Sequence, residues 1–181
     1  LIARLGLAEG VQIFCDDVLP IDPNGTAVAL GAAPRLRLPM PTALRLPMQP
    51  HVTLRDDAYA YVLPPSLAPH GSRAPLGALI AVQRREGPAR LHHLPADQAL
   101  GLFLGQTITD LPEGGEAYNS AAQLLHDLPC LTLAYSDLDE AVALLAHAFD
   151  AQGQPNPAFQ PEPALAAAPA DLAAVPPPAD L

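Results

Sequence analysis

The sequence predicts an α/β fold with a mixed sheet, and three stretches carry that prediction. Val11 to Cys15 is a short apolar run closed by Asp16-Asp17, the pattern of a strand buried in the centre of a sheet. Pro23-Asn24-Gly25 is a strong turn signal between the apolar stretches Val18–Ile21 and Thr26–Leu30, which together read as a hairpin beside the acidic pair. Tyr118–Leu125, Cys130–Ala134 and the stretch after Ser136 close the body as helix, strand and helix.

Each further element has its own local reason. Leu1 to Glu9 is helix-patterned, with Gly10 placed to end it. Residues 34–50 hold five prolines and the echo Arg37-Leu-Pro-Met40 and Arg45-Leu-Pro-Met48, a spacing too short for a solenoid unit. His51 to Asp57 is polar and reads as loop. Tyr59 to Leu63 alternates as a strand does, and Leu76 to Gln83 is the next strand, after a loop marked by Pro64, Pro65, Pro69 and Gly71. Pro95 opens a helix with Leu100, Phe103 and Leu104 on one side, and Leu111 to Gly115 is loop. Ser136 is placed to cap the last helix, whose buried stripe is Leu138, Val142, Leu145 and Phe149. From Gln152 onward the composition turns to Pro and Ala. The domain is therefore expected over residues 1–150 and a disordered tail over 151–181, which holds eight prolines.

Composition narrows the function classes. At 181 residues, half of them apolar, the chain has enough material for one core. A net charge of −10, with nine Arg and no Lys, argues against a nucleic-acid partner, which needs a basic face. Four Tyr, four Phe and no Trp argue against aromatic stacking platforms. No apolar run approaches the ~20 residues of a membrane span. No basic segment precedes a long apolar stretch as in a secretion signal, so a cytoplasmic location is expected. Cys15 and Cys130, the only cysteines, sit in apolar runs and read as buried, reduced thiols. His92-His93 would point to opposite faces of a strand, poor geometry for one metal, and the other four histidines are scattered.

The candidate chemistry lies at Asp16-Asp17. Two carboxylates ending a buried strand are disfavoured by desolvation unless a cation or donor is near. In open α/β sheets that edge is also where ligands bind. A metal–phosphate ligand would supply the charge, with one carboxylate on Mg²⁺ and the other taking a proton. The structural alternative is a strand that stops in a solvated acidic turn. Arg35 and Arg37 would share one side of an extended segment, facing either phosphate or solvent. Asp22 reads as a turn residue.

The order helix, strand, Asp16-Asp17, second strand and Pro34-Arg-Leu-Arg-Leu-Pro39 resembles the HPr kinase/phosphorylase family, and most closely its shorter bacterial relatives that keep the kinase core. The likeness runs loosely from Leu1 to about Asp150, and Gly10 to Pro39 is its specific part. It implies a P-loop kinase-like mixed sheet with flanking helices that binds ATP and Mg²⁺ and transfers a phosphoryl group to a serine of an HPr-like protein. By the resemblance, Asp17 is the base and Asp16 the metal ligand, or the reverse, and Arg35, Arg37 and Arg73 are the nucleotide-facing cations. The family's Gly-rich loop ending Gly-Lys-Ser/Thr would fall just before Leu1, so a kinase core truncated at its N-terminus is expected. Ala58 and Ala60 stand where family members often carry a basic residue, which leaves Arg73 as the nearest substitute. The alternative is a non-catalytic binding or scaffold module that kept the fold and lost the nucleotide site.

Overall fold

The structure, a computed structural model, describes residues 1–22, 24–40, 45, 47–107, 114–150 and 153–165. Among them it is a mixed α/β arrangement of eight strands in three small sheets and four α-helices. No helix among the described residues is long and apolar enough to cross a membrane.

The best-formed sheet lies in the C-terminal half. It orders β6 (Leu79–Arg84), β8 (Cys130–Tyr135) and β7 (Arg90–His93), with β8 in the middle. β6 runs parallel to β8, from Leu79 opposite Cys130 to Arg84 opposite Tyr135, and β7 runs antiparallel on the other side. A parallel pair needs a long crossover, and here the chain passes through β7, α2 (Ala96–Gln106) and α3 (Gly114–His126) before entering β8. Leu131 to Tyr135 are all buried, as befits a strand covered on both faces. α4 (Leu138–Ala148) then packs on β8 and β7. Leu91, Leu131, Leu133, Tyr135, Ala141 and Ala148 form the main core, with Ile80, Leu145, Phe149 and Phe159 against it.

Two helix starts differ from expectation. Asp137, not Ser136, caps α4: its carboxylate accepts from the amides of Asp139 and Glu140 at 2.8 and 3.0 Å. A charged acceptor one residue later fits the first free amides, and Ser136 Oγ instead donates to the Gly87 carbonyl at 2.8 Å. Gly114 and Gly115 open α3 rather than ending a loop; residues 111–113, the rest of that expected loop, lie outside the described residues.

The N-terminal half is built from smaller pieces. β2 (Arg35–Arg37), β4 (Tyr59–Val62) and β3 (Val52–Arg55) make an antiparallel sheet in that order, and β1 (Thr26–Val28) pairs with β5 (Arg73–Pro75). A second core gathers Ala3, Met48 and Val62 with Leu7, Leu36, Met40 and Val52. The expected loop at His51–Asp57 is therefore largely strand. Val52 to Arg55 form an edge whose Thr53 and Leu54 are exposed, so its polarity reflects its place at the rim. Residues 41–45, where the resemblance implies a short helix, lie mostly outside the described residues.

Two N-terminal expectations are shortened. The leading helix is a single turn, α1 (Ile2–Leu5), ending at Gly6, where an added methyl would meet Pro64 Cβ at 2.9 Å. Val11 to Cys15 is extended but forms one isolated bridge, Ile13 to Leu67, instead of a central strand. Its neighbour, residues 64–69, contains Pro64, Pro65 and Pro69, which have no N–H to continue a ladder.

The tail boundary also moves. Residues 153–165 do not leave the body after Asp150. They lie along it, with a bridge from Phe149 to Pro155 and another from His92 to Glu162. Phe159 supplies the apolar anchor that composition alone hides.

Candidate functional site

The acidic pair sits in a bend that two backbone contacts prepare. Ile13, 5% exposed, is held by its amide on the Ser66 carbonyl and its carbonyl on the Ala68 amide, both 2.9 Å. The Phe14 carbonyl then accepts from the Leu30 amide at 3.0 Å, which brings the chain before β2 alongside. Asp16 is left half-buried and Asp17 exposed, both facing the first residue of β2.

Arg35 joins the two. Its backbone amide donates to Asp16 Oδ2 at 3.1 Å, and its guanidinium Nη2 donates to Asp17 Oδ2 at 2.7 Å. The same guanidinium lies over the Tyr59 ring, 5.2 Å from its centre, a stacking that planar arginine favours. The hydrogen bond and charge of Asp17 hold the Arg35 guanidinium above its already high usual pKa. The cation that the desolvation argument requires is thus supplied within the chain. Each carboxylate keeps a second oxygen with no protein partner among the described residues.

Cys15 feels the same field. Burial first, then the charges of Asp16 and Asp17, push its thiol upward, and burial alone does so for Cys130. Both cysteines are free.

The remaining arginines separate. Arg37 is exposed on the same side of β2 as Arg35, with Leu36 turned inward, and makes no ion pair among the described residues. Arg73 is engaged elsewhere, in an ion pair with Asp22 that ties β5 to the turn before β1. Asp22 is a turn residue, as its sequence context implies: its Oδ1 accepts from the amides of Asn24 and Thr26 at 2.9 and 3.0 Å. Those bonds, Thr26 foremost, and Arg73 hold its carboxyl below the usual range.

So the structure brings together Asp16, Asp17 and Arg35, leaves Arg37 beside them and removes Arg73. Tyr59 is the member that sequence reasoning missed. Its signal was cross-strand placement, since Tyr59 pairs with Arg37 in the β2–β4 ladder. No group of three or more His, Cys, Asp or Glu that could hold a metal occurs among the described residues. His92 and His93 do face apart: His92 is buried, with Nδ1 3.1 Å from the Pro163 carbonyl, and His93 is exposed. A surface depression of about 430 Å³ is lined by Gly31, Leu63, Pro64, Leu67 and His70, and none of the five candidates lines it.

Comparison with protein-family models, with curated proteins and with solved structures gives no match. The functional reading therefore stands on the residues themselves.

Proposed function

We propose that this chain carries the carboxylate-bearing part of an ATP-dependent protein-serine kinase or phosphorylase of the HPr kinase type. The observation that supports it most is the Asp16-Asp17 bend facing Arg35, with Arg37 two residues along the same strand. In this reading Asp17 uses its free oxygen as the base on the acceptor serine hydroxyl, and Arg37 offers an uncommitted charge to phosphate. Arg35 orients both carboxylates. The donor set suits Mg²⁺, which takes one or two carboxylates and completes its shell with water and phosphate oxygens. Asp16 would hold the ion, which when bound with ATP supplies charge neutralisation for the transferred phosphoryl group.

One observation favours a second reading, a binding or scaffold module without catalysis. Asp17 and Arg35 satisfy each other, and the 181 residues hold no Gly-Lys-Ser/Thr cradle. The two readings part in one experiment, on residues 1–181 joined to whatever segment their gene encodes ahead of them, if any. Under the kinase reading Asp17→Asn lowers turnover by about 10²–10⁴-fold while nucleotide binding persists, as expected for loss of a general base. Asp16→Asn raises the Mg²⁺ requirement. Normal ATP turnover in both folded variants refutes the kinase assignment. In calorimetry, residues 1–181 alone should bind Mg-ATP weakly or not at all.

A further inference from the structure

After α4, Asp150 is joined to the next described residues: the Gly153 amide donates to the Asp150 carbonyl, and the Asp150 amide to the Gln154 carbonyl, both at 2.9 Å. It then runs back over the open edge of β7. The Asn156 amide donates to the Ala148 carbonyl at 2.8 Å, and Phe159 packs against the main core, edge-on to the His147 ring at 5.8 Å. Among the described residues of this segment, Glu162 is the one that joins the strand. Its amide donates to the Leu91 carbonyl at 2.8 Å and its carbonyl accepts from the His93 amide at 2.9 Å, in parallel sense. Its side chain pairs with Arg90.

This strap holds on lightly. Pro155, Pro157, Pro161 and Pro163 have no amide hydrogen, so the pairing cannot spread beyond Glu162. No strap residue is fully buried; Asn156, Phe159, Pro161, Glu162 and Leu165 are half-buried. Beneath it a cavity of about 310 Å³ remains, lined by His93, Leu131, Phe149, Phe159 and Pro161 among others. Besides the Asn156 bonds to the end of α4 and the 3.1 Å contact of His92 Nδ1 with the Pro163 carbonyl, the strap relies on one aromatic anchor, one strand residue and an ion pair with Arg90 over an incompletely filled groove, which is how an extended peptide binds a sheet edge. At the near end a methyl group on Gly77 would overlap the Gly153 carbonyl oxygen, so the docked strap depends on that glycine.

We propose that the β7 edge and the groove beside it form a peptide-binding site, held closed by residues 153–165. Its ligand is an extended segment of a partner protein with the strap's own chemistry: an aromatic residue, a spacer, proline and an acid, as in Phe159-Gln-Pro-Glu162. The aromatic fills the groove, the acid meets Arg90, and the acid's backbone takes the Leu91 carbonyl and His93 amide. A short tether gives the strap an effective concentration of order millimolar, so a partner enters only when the strap loosens.

The test titrates a fluorescent peptide of residues 153–165 into the intact chain and into its Gly77→Ala and Phe159→Ala variants. Both variants should bind at least about tenfold more tightly than the intact chain, because the internal competitor is weakened. A peptide carrying Phe159→Ala or Glu162→Ala should lose about tenfold or more. Equal binding by the intact and variant chains, or no binding by variants that keep their far-UV circular dichroism, overturns the proposal. Should both variants unfold, hydrogen exchange on the intact chain decides. The His93 and Glu162 amides exchange well ahead of the Leu133 amide if the strap opens alone, and exchange in step with it refutes the site.

Discussion

Leu133→Ala removes the side chain at the centre of β8, the middle strand of the C-terminal sheet. Leu133 is 0% exposed, opposite Val82 on one neighbour and Leu91 on the other, and within the main core. Truncating a buried leucine loses its transfer free energy and leaves a cavity that a close-packed interior fills only in part, together about 3–4 kcal/mol. For a chain of this size each kcal/mol lowers the melting temperature by about 2–4 °C, so a fall of roughly 6–16 °C is expected. Urea unfolding with linear extrapolation measures the free energy directly. Leu54→Ala is the control. The same side chain there is 62% exposed on the β3 edge, and its loss should change stability by no more than about 0.5 kcal/mol. A cost below about 1 kcal/mol for Leu133→Ala, or equal costs at both sites, would show that β8 is not the centre of the core.

Asp137→Ala should destabilise by about 1 kcal/mol, with Asp137→Ser recovering most of it, as read by the same urea titration; an effect only at Ser136 would return the cap to that residue. Asp22 has a carboxyl depressed in the folded state, so its contribution is present above the unfolded-state pKa and is lost as pH falls through the folded one. The stability gap between the native chain and Asp22→Asn should therefore be full at neutral pH and close progressively below about pH 4. A gap that is unchanged down to about pH 2 would contradict this. Cys15, raised by burial and by both neighbouring carboxylates, should alkylate more slowly at pH 8 than a free thiol. Asp16→Asn or Asp17→Asn should quicken it, and an unchanged rate would place those charges away from the sulfur.

Sequence alone determined whatever depends on near neighbours in the chain. Periodicity located β4, β6, β8, α2 and α4 to within a few residues, because alternation and the helical stripe record which face is buried. Asp22-Pro23-Asn24-Gly25 announced its turn through side-chain bonds only two and four residues long, which need no tertiary partner. The acidic pair was legible too, as a pair that needs a positive charge.

The source of that charge was decided by tertiary structure. Arg35 reaches Asp17 across 18 residues because Leu30 hydrogen-bonds to Phe14 and carries β2 alongside, while Arg73, equally cationic, is claimed by Asp22 51 residues away. The same holds for strands whose partners decide their length. Val11 to Cys15 has the apolar pattern of a central strand, but three prolines in the neighbouring segment stop the ladder at Ile13. Val52 to Arg55 has a loop's polarity, yet β4 offers it an open edge. The Pro-rich composition of residues 153–165 argues against independent structure. Its order comes from a ready-made groove that receives Phe159 and an edge amide that receives Glu162, neither of which leaves a local trace in the sequence.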